Sequence, residues 1–291
     1  MTERARQLVM DFMLLLVTFF WGSTFILVKK AVAVVDVYSF LTTRFGLAFL
    51  LMILLFPRRL RHLDWPTLKA GSMLGILLFA SFAFQTWGLT LTSATNSAFI
   101  TGLNVVLVPI FSVVFFRRFP TPSVVLGILA ASIGLYILVG AAPSKWNFGD
   151  ALIFFCAVAV ALHILLTGFY APKFDVLALV TFQLGVSAVL GLLLSITSGG
   201  ITCNIPSEAW TAVIVTVLLC TVFAYIIQTY AQRTTPAARA ALIFTSEPVF
   251  GVLFAHFFGN EPFLMSHLTG GGLIFLGMVI AEIRPMKTDT L

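Results

Sequence analysis

Glu247 is the first candidate for chemistry, because this carboxylate lies within a long apolar run of the sequence, directly before Pro248. Ionisable side chains in such runs are expensive to bury and mark substrate or ion pathways. When the chain is compared with itself at an offset of 143, Asn104 takes the equivalent position, near Pro109. Each proline removes a backbone N–H and interrupts the hydrogen bonding of a helix. We expect Pro109 and Pro248 to break two equivalent helices beside a site for a small molecule.

Glu247 has two functional interpretations and one structural interpretation. As a substrate ligand it would attract an amino group or another cation. As a coupling group in a medium of low dielectric constant, it could bind and release a proton. Alternatively, a protonated carboxyl could bond to the backbone that Pro248 frees and serve only helix packing.

Arg44 is the deepest clear positive charge, and Gln183 is its counterpart at an offset of 139. A guanidinium stays charged, so it could bind a substrate carboxylate or pair with Glu247 or Asp11. It could instead extend to the outer surface, which lies about two turns away.

Uncharged polar residues form faces at helical spacing on several apolar runs. Such faces either line a cavity or hydrogen-bond neighbouring helices, and their convergence in the same runs favours a cavity. We expect His163 and His256, taken alone, to pack rather than to relay protons. Trp21 lies deeper in its run than the other tryptophans and is a further candidate. The faces contain Ser97, Thr101 and Asn104; Ser81, Gln85, Gly88 and Thr92, continued by Gln228; Thr18 and Gly22; His163 and Thr167.

The apolar runs predict an all-α integral membrane protein. The hydrophobic content is 60% and the charged content 10%, whereas soluble domains carry about 25% charged residues. Runs of about 20 apolar residues predict membrane-spanning helices, and the first run is too long for the core of a signal peptide. We predict ten spans, at 8–28, 37–56, 68–88, 95–116, 122–139, 149–169, 176–197, 209–229, 236–258 and 263–283.

Lysine and arginine indicate the orientation, because cytoplasmic loops carry an excess of both. With the N-terminus in the cytoplasm, thirteen of these side chains fall in inner segments, and only Lys29, Lys30 and Lys145 fall in outer loops. Both termini are therefore predicted to be cytoplasmic. This topology explains the net charge of +6 without a nucleic-acid partner. The three cysteines show no ligand spacing, so we expect no metal, cofactor or disulfide.

The chain contains an internal repeat. An offset of 139 places Asp11 on Asp150, and an offset of 143, from the third span of each half onward, places Gln85 on Gln228. Each half holds five predicted spans, an odd number, so the two halves must be inverted relative to each other. We predict two five-helix repeats, 1–142 and 143–291, a build typical of secondary transporters. Asp11 and Asp150 open equivalent helices, where an acid compensates exposed N–H groups.

Small residues predict close helix packing, because they let backbones approach each other in lipid. The motifs are Gly71-x-x-x-Gly75 in the third span, Gly127-x-x-x-Ala131 in the fifth and Gly270-Gly271-Gly272 in the tenth. Packing within the chain is the simpler interpretation. The alternative is a homodimer whose interface is formed by the fifth and tenth spans.

Several motifs resemble those of the EamA-type transporters in the drug/metabolite transporter superfamily. They are Trp21-Gly-Ser-Thr-Phe25 with Lys29, Phe99 to Pro109, Ser246-Glu-Pro-Val-Phe250 through Gly259-Asn-Glu261, and the Gly-rich helix 270–282. The resemblance covers essentially the whole chain. One departure is that Arg118 replaces, in the first half, the acid of the Gly-Asn-Glu261 motif.

The resemblance implies ten helices around a central cavity lined by the first four helices of each half. It also implies alternating access, with export of small metabolites such as amino acids or related compounds across the bacterial inner membrane. A sugar-nucleotide or phosphometabolite exchanger is an alternative, but it would need several cationic side chains in the cavity. A lipid flippase is another. Motifs of membrane-embedded enzymes are not found.

Overall fold

The computed structural model describes residues 3–60, 64–92, 94–139, 147–199, 205–259 and 262–282. Across these residues the fold is helical, without a β-strand. The predicted joint at 140–146, Lys145 included, and the Asn260-Glu261 end of the motif quoted above lie outside the described residues. The α-helices are α1 (Glu3–Ser23), α2 (Phe25–Val32), α3 (Val37–Leu55), α4 (Trp65–Leu89), α5 (Ala94–Gly102), α6 (Asn104–Phe116), α7 (Pro122–Val139), α8 (Phe148–Tyr170), α9 (Val176–Thr197), α10 (Ser207–Val217), α11 (Ala224–Ala231), α12 (Ala237–Phe244), α13 (Glu247–Gly259) and α14 (Met265–Glu282).

Eight helical stretches of the described chain are long and apolar enough to cross a membrane. They correspond to eight of the ten predicted spans, so the prediction of an all-helical, multi-pass membrane protein is confirmed. The other two predicted spans coincide with α7 and α14, helices of 18 residues each. Their described apolar stretches, Pro122–Leu138 and Met265–Ala281, are shorter than the eight.

Aspartate side chains begin several of these helices. The carboxylates of Asp36 and Asp175, which are repeat equivalents, accept backbone N–H bonds of 2.9 and 3.0 Å in the first turns of α3 and α9. Asp64 begins α4 by accepting the N–H of Thr67 at 3.1 Å. Hydrogen bonds from Thr67 hold the pKa of the Asp64 carboxyl below its usual range. Such caps satisfy N–H groups that have no partner within the helix.

The fourth predicted span is interrupted at Leu103, between α5 and α6. Pro109 lies inside α6, so the predicted position of this break is corrected. The side-chain amide of Asn104 donates to the carbonyl of Thr101 at 2.8 Å. In a continuous helix that carbonyl would accept the N–H of Val105. The side chain therefore competes with the helix well before the proline.

The ninth span is interrupted at Thr245–Ser246, directly before Glu247 and Pro248, where the sequence predicts a break. Both hydroxyls of this pair donate to carbonyls in the last turn of α12. At the offset of 143, Leu103 is the repeat equivalent of Ser246. The two interruptions are thus equivalent, and Asn104 and Glu247 each begin the second segment of a broken span.

The eighth span contains a π turn, Leu218–Phe223, between α10 and α11. Its repeat equivalent, the third span, is the uninterrupted helix α4. π turns are rare, and they are frequent at functional sites because they turn backbone carbonyls away from their usual partners. The carbonyl of Cys220 in this turn accepts bonds from two side chains of other helices.

Two pairs of repeat-equivalent helices pack against each other in antiparallel fashion. In α3 and α9, the hydroxyls of Ser39 and Ser195 lie 3.2 Å apart. Further along, Thr42 packs on Gly191. Residue numbers therefore rise along one helix as they fall along the other. The contacts between α7 and α14 follow the same order.

The glycines of α7 and α14 contact each other within the chain. A Cβ on Gly134 would lie 2.6 Å from the carbonyl oxygen of Gly270, and one on Gly277 would lie 2.5 Å from that of Gly127. Intramolecular packing, the simpler interpretation, accounts for these residues. Gly272 meets nothing within 4 Å and lies on an exposed part of α14. The homodimer stays a prediction that these glycines do not support.

Candidate functional site

Arg44 projects from α3 into the interior, where its exposed fraction is 5%. Its Nε donates to the hydroxyl of Thr221 at 2.7 Å, and one terminal nitrogen donates to the carbonyl of Cys220 at 3.3 Å. The guanidinium also lies over the ring of Phe82, 4.6 Å from the centroid. It does not extend to the outer surface, which was one of the two expectations for this residue.

The guanidinium of Arg44 forms no ion pair with a carboxylate among the described residues. Asp11, one predicted partner, pairs with Arg239 instead. Glu247, the other predicted partner, forms neither a hydrogen bond nor a salt bridge with Arg44 within the described chain. A buried charge without a counter-charge is costly, and it makes an anionic ligand favourable.

Glu247 is the first residue of α13, where the positive end of the helix dipole favours a negative charge. Its side chain is half-buried and makes no hydrogen bond or ion pair within the described chain. The interpretation as a packing residue bonded to freed backbone is therefore not what the structure shows. The residue is held beside α1, because its carbonyl oxygen lies 2.8 Å from the position of a Cβ on Gly22.

Tyr225 of α11 belongs to the same region as these two charges. Its hydroxyl is within electrostatic range of both Arg44 and Glu247. The ring packs on Trp21 at 5.9 Å and edge-on against His163 at 5.8 Å between centroids. We did not predict this residue from the sequence. The available signal was its place one helical turn before the predicted glutamine of the same helix.

Trp21 joins the first span to the same region. Its Nε1 donates to the carbonyl of Cys220 at 2.9 Å, and its ring packs on Phe244 at 5.4 Å. The π turn therefore holds both Trp21 and Arg44 through one carbonyl group. Cys156 of α8 is within electrostatic range of Glu247. Helices α1, α3, α8, α11 and α13 thus contribute to one polar region.

The polar face predicted on the fourth span is present, and part of it hydrogen-bonds within the same span. The amide nitrogen of Asn104 donates to the carbonyl of Thr101, while Oδ1 of Asn104 is buried without a partner among the described residues. The Thr101 hydroxyl is buried near the thiol of Cys156. Ser97 is buried, with an exposed fraction of 4%. Unsatisfied buried polar atoms mark places where a water or a ligand is favoured.

His163 belongs to an amide cluster in the second half. Its Nε2 lies 2.9 Å from Oε1 of Gln183. That His163 packs rather than relays protons stays a prediction. Gln228 donates to Gln232 at 3.2 Å, and Gln232 donates to the carbonyl of Ile164 at 2.8 Å. The Gln183 nitrogen and the Gln228 oxygen remain buried without partners in the described chain.

Two other predicted site residues form no hydrogen bond with Arg44 or Glu247. The Thr18 hydroxyl lies 2.8 Å from that of Ser246 and serves the contact between α1 and the ninth span. Gln85 of α4 is half-buried and makes no hydrogen bond within the described residues. The polar faces therefore include residues that join helices as well as residues that line the site.

Polar contacts join the two halves of the chain at equivalent positions. The carboxylate of Asp11 pairs with Arg239 of α12. The side-chain amide of Gln7 donates to this carboxylate and to the hydroxyl of Thr235, each at 3.2 Å. The carboxylate of Asp150 accepts the hydroxyl of Thr92. The repeat relates the two aspartates to each other, and likewise the two threonines.

The predicted capping role of Asp150 is confirmed, because it forms a capping box with Asn147 at the start of α8. Asp11 differs, since its carboxylate lies further along its helix and serves an ion pair. That pair also removes Arg239 from the set of cations available to a phosphate group.

Comparison with known proteins supports the resemblance. Residues 8–140 and residues 147–282 each match the EamA-like transporter family. An uncharacterized transporter of Archaeoglobus fulgidus is 32% identical over 282 residues, covering 97% of this chain and 88% of that protein. The uncharacterized transporter YyaM of Bacillus subtilis is 28% identical over 292 residues, covering 96% and 95%.

A solved crystal structure has the same fold. It superposes with a TM-score of 0.79 at 19% sequence identity, covering 97% of this chain and 98% of the solved chain. The family and the transporter names of the relatives point to transport rather than catalysis. The apolar helices make the protein a multi-pass membrane protein. With two matches that together span nearly its whole length, the chain belongs to the EamA-like transporter family.

Proposed function

We propose that this protein is a secondary transporter that exports small metabolites carrying both an amino group and a carboxylate, such as amino acids or related compounds. It works by alternating access in the bacterial inner membrane, with both termini in the cytoplasm. The observation that carries the proposal is that Arg44, which is buried and bonded only to neutral groups, and Glu247 contribute to one polar region and neither has an ion-pair partner within the described chain. A zwitterion supplies a counter-charge to each.

The charge count favours this substrate over a phosphorylated one. A phosphate or sugar nucleotide needs several cations, because each phosphate carries up to two negative charges. Arg44 is the cation of the described site, while Arg239 is already paired with Asp11. One guanidinium suits one carboxylate.

We propose the ten-span inverted repeat, with units 1–142 and 143–291, as the architecture. The antiparallel packing of α3 on α9 and of α7 on α14 supports it, because equivalent helices of inverted halves run in opposite directions. The two separate family matches support it as well. An 18-residue helix is about 27 Å long, close to the roughly 30 Å of a bilayer core. On that basis α7 and α14 also cross the membrane.

Binding to the purified protein tests the substrate class. The ligands are the twenty standard L-amino acids, each compared with its amide and with the acid that lacks its amino group. We expect thermal stabilisation by at least one amino acid and little by its two relatives, because each relative offers only one of the two charges. Stabilisation by none of the amino acids would contradict the proposal.

Variants of Arg44 and Glu247 test which group of the substrate each residue binds. Arg44→Gln should abolish the preference for the amino acid over its amide, and Glu247→Gln should abolish the preference over the acid without an amino group. The matched controls are Arg58→Gln and Glu208→Gln, which alter exposed charges. Equal loss of preference in the controls would argue against a role for the site.

Transport in liposomes tests the driving force. Proton exchange through Glu247, exchange of two substrates and facilitated flux all fit the fold. If Glu247 carries the proton, Glu247→Gln should abolish transport driven by a pH gradient but retain counterflow of the amino acid. Full pH-driven transport by this variant would exclude proton coupling at Glu247.

A further inference from the structure

The repeat places an aromatic ring at equivalent positions of the third and eighth spans, because Phe82 corresponds to Tyr225. Phe82 lies under the guanidinium of Arg44, at 4.6 Å from the centroid, and has no polar atom. Tyr225 adds a hydroxyl to the same kind of ring. The two halves thus duplicate the ring, and only the second half carries the hydroxyl.

The ring of Tyr225 is held firmly. Its exposed fraction is 4%, and it packs against Trp21 on one side and His163 on another. His163 is itself held by the bond to Gln183 at 2.9 Å. An aromatic ring with two such neighbours has little freedom, so the direction of its hydroxyl is set by packing.

The hydroxyl is nevertheless without a hydrogen-bond partner in the described chain. Arg44 and Glu247 are both within electrostatic range of it. A ligand that binds both charges would therefore lie near this donor.

The π turn explains why only the second half has this arrangement. Tyr225 closely follows the turn Leu218–Phe223. The carbonyl of Cys220 in this turn accepts bonds from Trp21 and Arg44. The hydroxyl of Thr221, in the same turn, accepts a second bond from Arg44. One irregular turn thus sets the relative positions of the guanidinium, the indole and the phenol. The uninterrupted helix α4 provides no equivalent.

We propose that Tyr225 determines substrate specificity by donating a hydrogen bond to the substrate carboxylate that Arg44 binds. The inference rests on the proposed function and deepens it. Arg44 supplies the charge, and Tyr225 supplies a second, directional contact to the same group. A site built around a directional hydrogen bond discriminates strongly against ligands that cannot make it.

Tyr225→Phe tests this role because it removes the hydroxyl and keeps the ring. We expect the dissociation constant of the amino acid that stabilises the wild-type protein to rise about 10- to 100-fold, as for the loss of a hydrogen bond to a charged group. The dissociation constant of its amide should change much less. The Tm without ligand should stay near that of the wild type, which a merely structural role would not allow.

Tyr230→Phe is the matched control, since it removes a hydroxyl from an exposed ring of the same helix α11. We expect it to leave the discrimination between amino acid and amide unchanged, and Tyr225→Phe to reduce it. If the wild type binds amino acids and Tyr225→Phe binds them equally well, the role of Tyr225 is excluded while the proposed function stands. If the wild type binds no amino acid, both are excluded.

Discussion

Asp11 of α1 and Arg239 of α12 form an ion pair that joins the two halves of the chain, with side chains 16% and 10% exposed. At the equivalent position of the other half, Asp150 of α8 accepts the hydroxyl of Thr92 instead. The aspartate is duplicated, and its partner has changed. If the halves are inverted, these contacts lie at opposite ends of the transport path. One end then has a pair of charges between the halves, and the other has a carboxylate with a neutral donor.

The ion pair should stabilise the contact between the halves. Asp11→Asn should lower the free energy of unfolding by about 1–3 kcal/mol, between the values for exposed and buried pairs. Thermal unfolding of the purified protein measures this. The exchanged pair Asp11→Arg with Arg239→Asp should restore part of the loss.

The exposed pair of Arg59 with Asp175 is the control for this experiment. Its atoms lie 3.3 Å apart and its side chains are 61% and 41% exposed. Arg59→Gln should therefore change the free energy of unfolding by less than about 1 kcal/mol. Equal effects of Asp11→Asn and Arg59→Gln would contradict a special role for the buried pair.

The contact between α7 and α14 should tolerate no added atom at its glycines. In Gly277→Ala the new Cβ would lie 2.5 Å from the carbonyl oxygen of Gly127, so the helices must separate. We expect a loss of about 1–3 kcal/mol, typical of overpacking. Gly272→Ala on the same helix meets nothing within 4 Å and should be neutral or slightly stabilising. A neutral Gly277→Ala would show that this contact is looser than described.

Gly22 should control the position of Glu247. A Cβ there would lie 2.8 Å from the carbonyl oxygen of Glu247 and 2.7 Å from Cβ of Phe250. Gly22→Ala should therefore weaken substrate binding as well as lower the Tm. Gly46→Ala, in a helix position with nothing within 4 Å, should alter neither. Normal binding by Gly22→Ala would disconnect the glycine from the site.

The cap at Asp64 should respond to acid. Because its pKa is lowered in the folded protein, its stabilising effect is present above the ordinary value of 3.8 and is lost as the pH falls through the lower folded value. The difference in Tm between wild type and Asp64→Ala should shrink with falling pH. Asp64→Asn should cap without this pH dependence. A difference that stays constant as the carboxyl is fully protonated would contradict the assignment.

The helices can be predicted closely from the sequence, because apolar runs and capping residues act locally. The sequence predicts the seventh span at 176–197, and the structure has it at Val176–Thr197. The break predicted at Pro109 is misplaced, because a proline inside a packed helix can be accommodated. The side chain of Asn104 competes with the preceding segment instead.

The candidate site can be predicted in part. Glu247, Arg44 and Trp21 are apparent from the sequence, since polar groups in apolar runs are conspicuous. Tyr225 is not, because an isolated tyrosine among thirty phenylalanines gives no pattern of its own. Its role became visible only through its neighbours.

A helical membrane protein with an internal repeat, charged residues within its apolar runs and the motifs of its family can all be recognised from the amino-acid sequence. These properties depend on composition, period and spacing along the chain. The partners of these residues follow from the packing of the helices: Arg44 bonds to the π turn of another span, and Asp11 bonds to Arg239 of the opposite half. Such contacts depend on how distant helices pack, and local patterns carry no record of that packing.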